Sequence, residues 1–174
     1  MKRSEISPKP GFFEKYINLV DDVELSEAFE ISLQQITQLD LALLKKIGTK
    51  TYAEGKWTVN ETLQHIADFE RILSYRTLLF ARRKKSVQPG FDEDLLARHS
   101  KANTKTIEQI LEELTAVRKS TIAMFNNFDE ETLSLTGINW QFEISVAGMG
   151  FNIIGHQAHH LKLINTRYIP LAAK

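Results

Sequence analysis

Cysteine is absent from the 174 residues of this chain. That absence excludes disulfides, thiolate zinc sites, iron-sulfur clusters and a cysteine nucleophile, and it leaves His, Asp and Glu to hold any metal ion. An excess of either charge is missing too, because 22 Lys and Arg stand against 22 Asp and Glu. No global field therefore favours nucleic acid or an anionic membrane, and neither is expected as a partner. No run is apolar and long enough to span a bilayer. The opening Met1-Lys2-Arg3-Ser4-Glu5-Ile6, followed by Ser7, Pro8, Lys9, Pro10 and Gly11, has no apolar h-region, so no signal peptide is expected and the cytoplasm is the expected location. The G-x-S-x-G, P-loop, G-x-G-x-x-G and H-E-x-x-H patterns are missing, as are the paired Glu-x-x-His motifs of di-iron bundles. What is present, 43% apolar and 25% charged residues, fits one globular domain over 1–174 with enough chain to bury a core.

Residues 1–22 read as an arm whose apolar patch, Phe12, Phe13, Tyr16, Ile17, Leu19 and Val20, packs on the main body. From about Glu24, the positions Leu25, Phe29, Leu33, Ile36, Leu43 and Ile47 recur at helical steps and predict one helix, stopped at Gly48. Thr58 followed by Glu61 is a capping-box pattern that starts a second helix, carried by Leu63, Ile66, Phe69, Leu73 and Leu79 to about Arg83. The basic run Arg82-Arg83-Lys84-Lys85 closes it as a solvated terminus. Pro89-Gly90-Phe91-Asp92 predicts a turn, and Asp92-Glu93-Asp94 before Leu95 a short helical piece. A third long helix is expected from near Thr104 to Asn126. An extended excursion or short hairpin around Gly137 follows, and then a fourth long helix from Val146 to Arg167, stopped by Pro170. Four long helices with little strand make the expected fold all-α, a four-helix bundle.

Three of the five histidines fall in Gly155-His156-Gln157-Ala158-His159-His160-Leu161. His156 and His160 are four apart, one turn from each other on one face, the spacing with which two imidazoles grip one ion. Adjacent residues diverge by about 100°, so only one of His159 and His160 joins His156, and His160 is the choice. His65, on the second helix, supplies a third imidazole from a second element. Three such ligands leave water or substrate in the remaining positions of a zinc, nickel, iron or manganese ion. On the residues alone, this reading stands beside one in which the same histidines are core and surface residues. His99, before Ser100 and Lys101, reads as surface.

The run Gly55-Lys56-Trp57-Thr58-Val59-Asn60-Glu61-Thr62-Leu63-Gln64-His65-Ile66-Ala67-Asp68-Phe69-Glu70-Arg71-Ile72, then Tyr75-Arg76, Phe80-Ala81-Arg82, Pro89 to Asp94 and Gly155 to His160, resembles the DinB-like metalloprotein superfamily. The resemblance implies an up-down-down-up four-helix bundle. It also implies one divalent ion, nickel or zinc above manganese or iron, bound by His65, His156 and His160. It further implies a homodimer and, from the superfamily's thiol S-transferases, a low-molecular-weight thiol beside a small-molecule substrate. In the bacillithiol-type branch the last ligand is followed by Arg-Gly-Gln, whereas His160 is followed by Leu161-Lys162-Leu163, a departure that bears on the thiol more than on the metal.

Two readings of function follow. In one, the chain is a metal-dependent hydrolase or thiol S-transferase that activates water or a thiol at the three histidines. In the other it is a stress-associated metal-binding or interaction module in which the ion is structural and the fourth position is closed by Asp68 or His159. Asp68, one turn after His65, is a candidate catalytic residue that orients a histidine or accepts a proton, or else a polar residue on a solvated stripe. Arg76 is a candidate for binding a substrate carboxylate or phosphate, and Trp57 for lining the pocket or stapling the start of its helix. Arg71 pairs with an acid or binds substrate, and capping accounts for Glu61.

Overall fold

The structure, a computed structural model, describes residues 1–84 and 87–173. Capping signals set the helix starts. The short helix α1 (Glu14–Ile17) closes the arm and α2 (Leu25–Thr37) follows. The single helix expected over 24–47 is broken, because the Asp40 carboxylate accepts from Leu43 N at 2.9 Å and opens a separate helix, α3 (Leu41–Ile47). A short acid that bonds its own backbone competes with helix continuation. The second long helix, α4 (Val59–Ala81), begins as expected: Thr58 N donates to Glu61 Oε2 at 2.8 Å, and Glu61 N donates to Thr58 Oγ1 at 3.2 Å. Arg83, beyond its end, pairs with Glu131; Lys85, also in the basic run, lies outside the described residues.

Asp92 caps the expected short helix, α5 (Glu93–His99), by accepting from Leu95 N. The third long helix, α6 (Ile107–Phe125), starts three residues later than expected, after a second capping box formed by Thr106 and Gln109. A short helix, α7 (Glu130–Ser134), precedes a hairpin. Strands β1 (Val87–Gln88), β2 (Thr136–Asn139) and β3 (Phe142–Ser145) form a small sheet in that order, β1 parallel to β2 and β2 antiparallel to β3. The hairpin reverses at Trp140, φ +59°, and not at Gly137. Gly137 sits within β2, where a Cβ would stand 2.2 Å from the Phe80 ring. The last long helix, α8 (Val146–Leu163), is capped by Ser145 and runs into a π-helical turn, Ile164–Tyr168, and a 3-10 turn, Ile169–Ala173, so Pro170 lies inside the terminal turn and the α-helix ends earlier than expected.

Contacts fix the directions of the four long helices. Along α4 and α6 the pairs Gln64–Glu113, Glu70–Arg118 and Ser74–Thr121 rise together, so these helices are parallel. Along α2 and α8, Leu25 meets Gly150 and Ser32 meets Gln157, again parallel. Phe29–Phe125 and Ser32–Arg118 run in opposite senses, as do Trp57–His160 and Phe69–His156. The result is an all-α, up-down-down-up bundle in which α2 packs on α6 and α8, and α4 packs on α6 and α8, with the small sheet as a minor addition.

One apolar cluster gathers Phe69, Leu73 and Phe80 of α4 with Phe151, Ile153 and Ile154 of α8 and the arm residues Ile6, Phe13 and Ile17. A second gathers Leu63, Ile66, Leu161, Ile164 and Tyr168 with Ile110 and Leu114. Arg118 is fully buried and donates from Nε and Nη2 to the two Glu70 oxygens, both at 2.8 Å, and from Nη1 to Ser32 Oγ. This bidentate pair satisfies both charges and ties α6 to α4 and α2. Among the described residues no helix is long and apolar enough to cross a membrane.

Candidate metal centre

On α8, His156 and His160 fall between the residues of the two apolar clusters, while on α4 His65 is flanked by Leu63 and Ile66 of the second, one turn before Phe69 of the first. His65 from α4 and His156 and His160 from α8 are buried, at 3%, 2% and 8% exposure. Nε2 of His156 lies 3.1 Å from Nε2 of His65 and 3.1 Å from Nε2 of His160. Three ring nitrogens, one from each histidine, lie within 4.8 Å of one another. Tetrahedral ligation with zinc-nitrogen bonds of about 2.0–2.1 Å needs nitrogens about 3.3 Å apart, close to this spacing. At 3.1 Å each contact is also the length of an N–H···N hydrogen bond between neutral imidazoles, and with those protons displaced the three nitrogens form a donor set that fits a divalent ion.

Burial dominates the electrostatics. It lowers the His65 pKa to about 4, against a smaller opposing pull from Asp94. Burial and the neighbouring His65 and His159 lower His160 to about 3. His156 is held well below 6.5, first by burial and then by the other histidines. All three are neutral at pH 7, the state in which an imidazole ligates.

Aromatic rings wall the cluster. Phe69, one turn after His65, stacks on His156 with centroids 3.7 Å apart and planes at 13°. Trp57 packs on His65 at 4.7 Å and stacks on His160 at 6.4 Å, and its Nε1 donates to Asp94 Oδ1 at 3.1 Å. The Tyr168 hydroxyl, turned inward by the π-helical turn, donates to the Trp57 carbonyl. Tyr16 of the arm stands edge-on to His156 at 5.5 Å. That approach depends on Gly155, where a Cβ would lie 2.1 Å from the Tyr16 carbonyl oxygen. Beyond Phe69 opens a cavity of about 560 Å³ between α4, the loop before α5, the hairpin and the arm, lined by Phe12, Phe91, Trp140 and Arg76 among others.

The other expected site residues distribute as follows. Arg76 reaches this cavity, held by Asn139 and Pro89, while Trp57 reaches the histidines. Asp68 does not meet the histidines through its hydrogen bonds: its carboxylate accepts from Gln64 at 3.0 Å and Arg71 at 3.3 Å. Both donors also bond Glu113 of α6, so Asp68 faces the α4–α6 seam. Partial burial raises the Glu113 carboxyl, but hydrogen bonds from Lys105, Arg71 and Gln64 outweigh it and hold the pKa at about 2. His159 is exposed and touches Tyr16, and His99 is exposed at the end of α5. Among the described residues no carboxylate or fourth histidine joins the group. Phe69, Tyr16 and Asp94 are contributors that the sequence reading passed over. Phe69 was findable, being four residues after His65 on the same face, whereas the other two arrive through loop and arm contacts.

The chain is similar to a protein of Oceanobacillus iheyensis named "Putative metal-dependent hydrolase OB0413", 27% identical over 114 residues, a match spanning 65% of this chain and 65% of that protein. It shares its fold with YfiT from Bacillus subtilis, described as "a probable metal-dependent hydrolase with an unusual four-helix bundle topology", at a TM-score of 0.62 and 18% identity over 88% of this chain and 86% of that one. A sequence profile of the DinB superfamily matches residues 17–164, and the chain belongs to that superfamily.

Proposed function

We propose that this chain is a divalent-metal-dependent enzyme that hydrolyses a small electrophile, or transfers a thiol to it, at His65, His156 and His160. The observation that carries the reading is the convergence of three neutral imidazole nitrogens from two helices with no fourth protein donor in the group among the described residues. Three protein ligands and a free position are the pattern of a catalytic ion, whereas a structural ion is closed by four. The names of the relatives support a hydrolase. A nickel or zinc ion held there would supply Lewis acidity, lowering the pKa of a ligated water toward about 7 and holding a ligated thiol as thiolate.

The chain's own groups do the rest. The Phe69 and Trp57 rings keep bulk water from the imidazoles and fix their planes. Asp94 holds the Trp57 indole and is the acid whose charge reaches His65. The proton-accepting role does not fall to Asp68, because Gln64 and Arg71 engage its carboxylate along the α4–α6 seam.

The test is metal content by elemental mass spectrometry on protein purified without an affinity tag. About one nickel or zinc ion per chain is expected in the native protein and in His159→Ala, with loss in His65→Ala, His156→Ala and His160→Ala. An ion retained at full content in all three ligand variants would overturn the proposal.

A further inference from the structure

The two buried arginines of this bundle are treated differently. Arg118 has a carboxylate, Glu70, on its guanidinium. Arg76 has none among the described residues: at 7% exposure it donates Nη1 to Asn139 Oδ1 and Nη2 to the Pro89 carbonyl, both at 2.6 Å and both neutral acceptors. Its Cζ stands 5.3 Å from the centroid of the Phe91 ring. Burial lowers its pKa, with no acid acting in the other direction. A guanidinium carries five N–H donors, so the two bonds leave three for another partner. Leaving a desolvated cation without an anion costs several kcal/mol, and a fold that satisfied Arg118 so fully had the means to satisfy Arg76.

Arg76 lines the cavity of about 560 Å³, and the remaining wall is mainly aromatic and aliphatic: Phe12, Phe69, Leu73, Phe91 and Trp140. A cavity of that size, largely apolar and with Arg76 as its single cation, is built for a small organic molecule with one anionic anchor. The Asn139 and Pro89 contacts hold the guanidinium plane still, which favours a planar two-oxygen acceptor. Asp92 and Glu93 line the same cavity. A phosphate dianion entering it brings a second negative charge toward these two acids, whereas a carboxylate brings only the charge Arg76 neutralises. The dimension follows from the helix: Phe69 and Arg76 are seven residues apart, about 10 Å along α4 at 1.5 Å per residue. Phe69 is the ring stacked on His156, so the apolar end of a ligand anchored at Arg76 points at the histidine cluster.

We propose that this cavity binds an organic carboxylate whose carboxyl group lies on the Arg76 guanidinium and whose apolar body runs along the aromatic wall to Phe69. As the substrate class of the histidine centre the assignment rests on the function proposed above; as a binding site it does not.

Metal-free protein, prepared with a chelator, is titrated by isothermal calorimetry with 3-phenylpropionate, its neutral amide 3-phenylpropanamide, and phenyl phosphate. The carboxylate is expected to bind at least about tenfold more tightly than the amide, the ratio one charge-assisted hydrogen bond provides, and more tightly than phenyl phosphate. In Arg76→Gln the acid and amide are expected to bind alike, and Arg76→Lys is expected to keep part of the difference. The comparison of acid with amide on the native chain does not depend on either variant folding. Equal affinities for acid and amide, an acid affinity unchanged in folded Arg76→Gln, tighter binding of the phosphate, or no heat at millimolar acid would each overturn the proposal. Acid binding that appears only after metal is restored would also overturn it, by putting the carboxylate on the histidine-held ion. Loss of metal binding by the protein with carboxylate binding intact would instead overturn the function proposed above and leave this site standing.

Discussion

Protonation of any one of the three clustered imidazoles places a charge in a space walled by Phe69, Trp57 and Tyr16. The folded chain therefore holds His65 at about 4 and His160 at about 3, while an unfolded histidine titrates near 6.5. Between those values the unfolded chain binds more protons than the folded one, so stability rises with pH in that window. It is complete above about 6.5 and is lost as pH falls toward 4 and 3. Each such histidine contributes about 1.4 kcal/mol per pH unit inside the window. Glu113, held at about 2, acts elsewhere: its contribution is present above about 4.5 and lost only below it. Urea unfolding of metal-free protein at pH 7, 6 and 5 isolates the histidines, with a falling midpoint expected and a shallower fall in His160→Asn. A midpoint independent of pH over that range would contradict the burial of neutral imidazoles.

At the scale of elements, the arm is a wall of the site as well as a cap on the bundle, and Gly155 sets its position. A Cβ at 155 would lie 2.1 Å from the Tyr16 carbonyl oxygen and 3.1 Å from Ile17 N. These are backbone atoms that no rotamer change can move. Gly155→Ala is expected to lift α1 from α8 at a cost of about 1–3 kcal/mol, the usual range for overpacking. Hydrogen exchange is expected to quicken at residues 13–20 and to stay unchanged in α6; unchanged protection of the arm would show that α8 yields instead. This dependence has no signature in the sequence, where Gly155 looks like any helical glycine. The long helices were legible because their apolar residues recur every three to four positions and Thr58 with Glu61 marks a start. The break before α3 was not, since the apolar period continues through Asp40 and only the local bond to Leu43 N ends the helix. The histidine cluster was legible from a spacing of four and from a resemblance spanning two helices. The cavity was not, because its walls come from the arm, α4, a loop and the hairpin, and Arg76 reads as an ordinary helical arginine until its partners are seen.

For the whole molecule the question is whether the ion, once bound, holds the bundle together or uses a bundle that already stands. Each of the two apolar clusters contains residues of both α4 and α8, the first including Phe69 with Ile153 and Ile154 and the second Leu63 and Ile66 with Leu161. The helices are thus joined through both clusters without any ligand. The Glu70–Arg118–Ser32 bonds separately join α4 to α6 and α2. An ion added to such a frame stabilises by mass action, about 4 kcal/mol at a thousandfold excess over its dissociation constant. In a domain of this size that is worth roughly 10 °C in melting temperature. A small domain organised around its ion behaves otherwise and unfolds when the ion is removed. Chelation is therefore expected to leave the helical circular dichroism at 25 °C intact and to lower the melting temperature by no more than about 15 °C, with recovery on adding back nickel or zinc. A chelated chain that loses its helical signal at 25 °C would make the ion a structural clasp between α4 and α8. The free fourth position would then have to be explained by something other than catalysis.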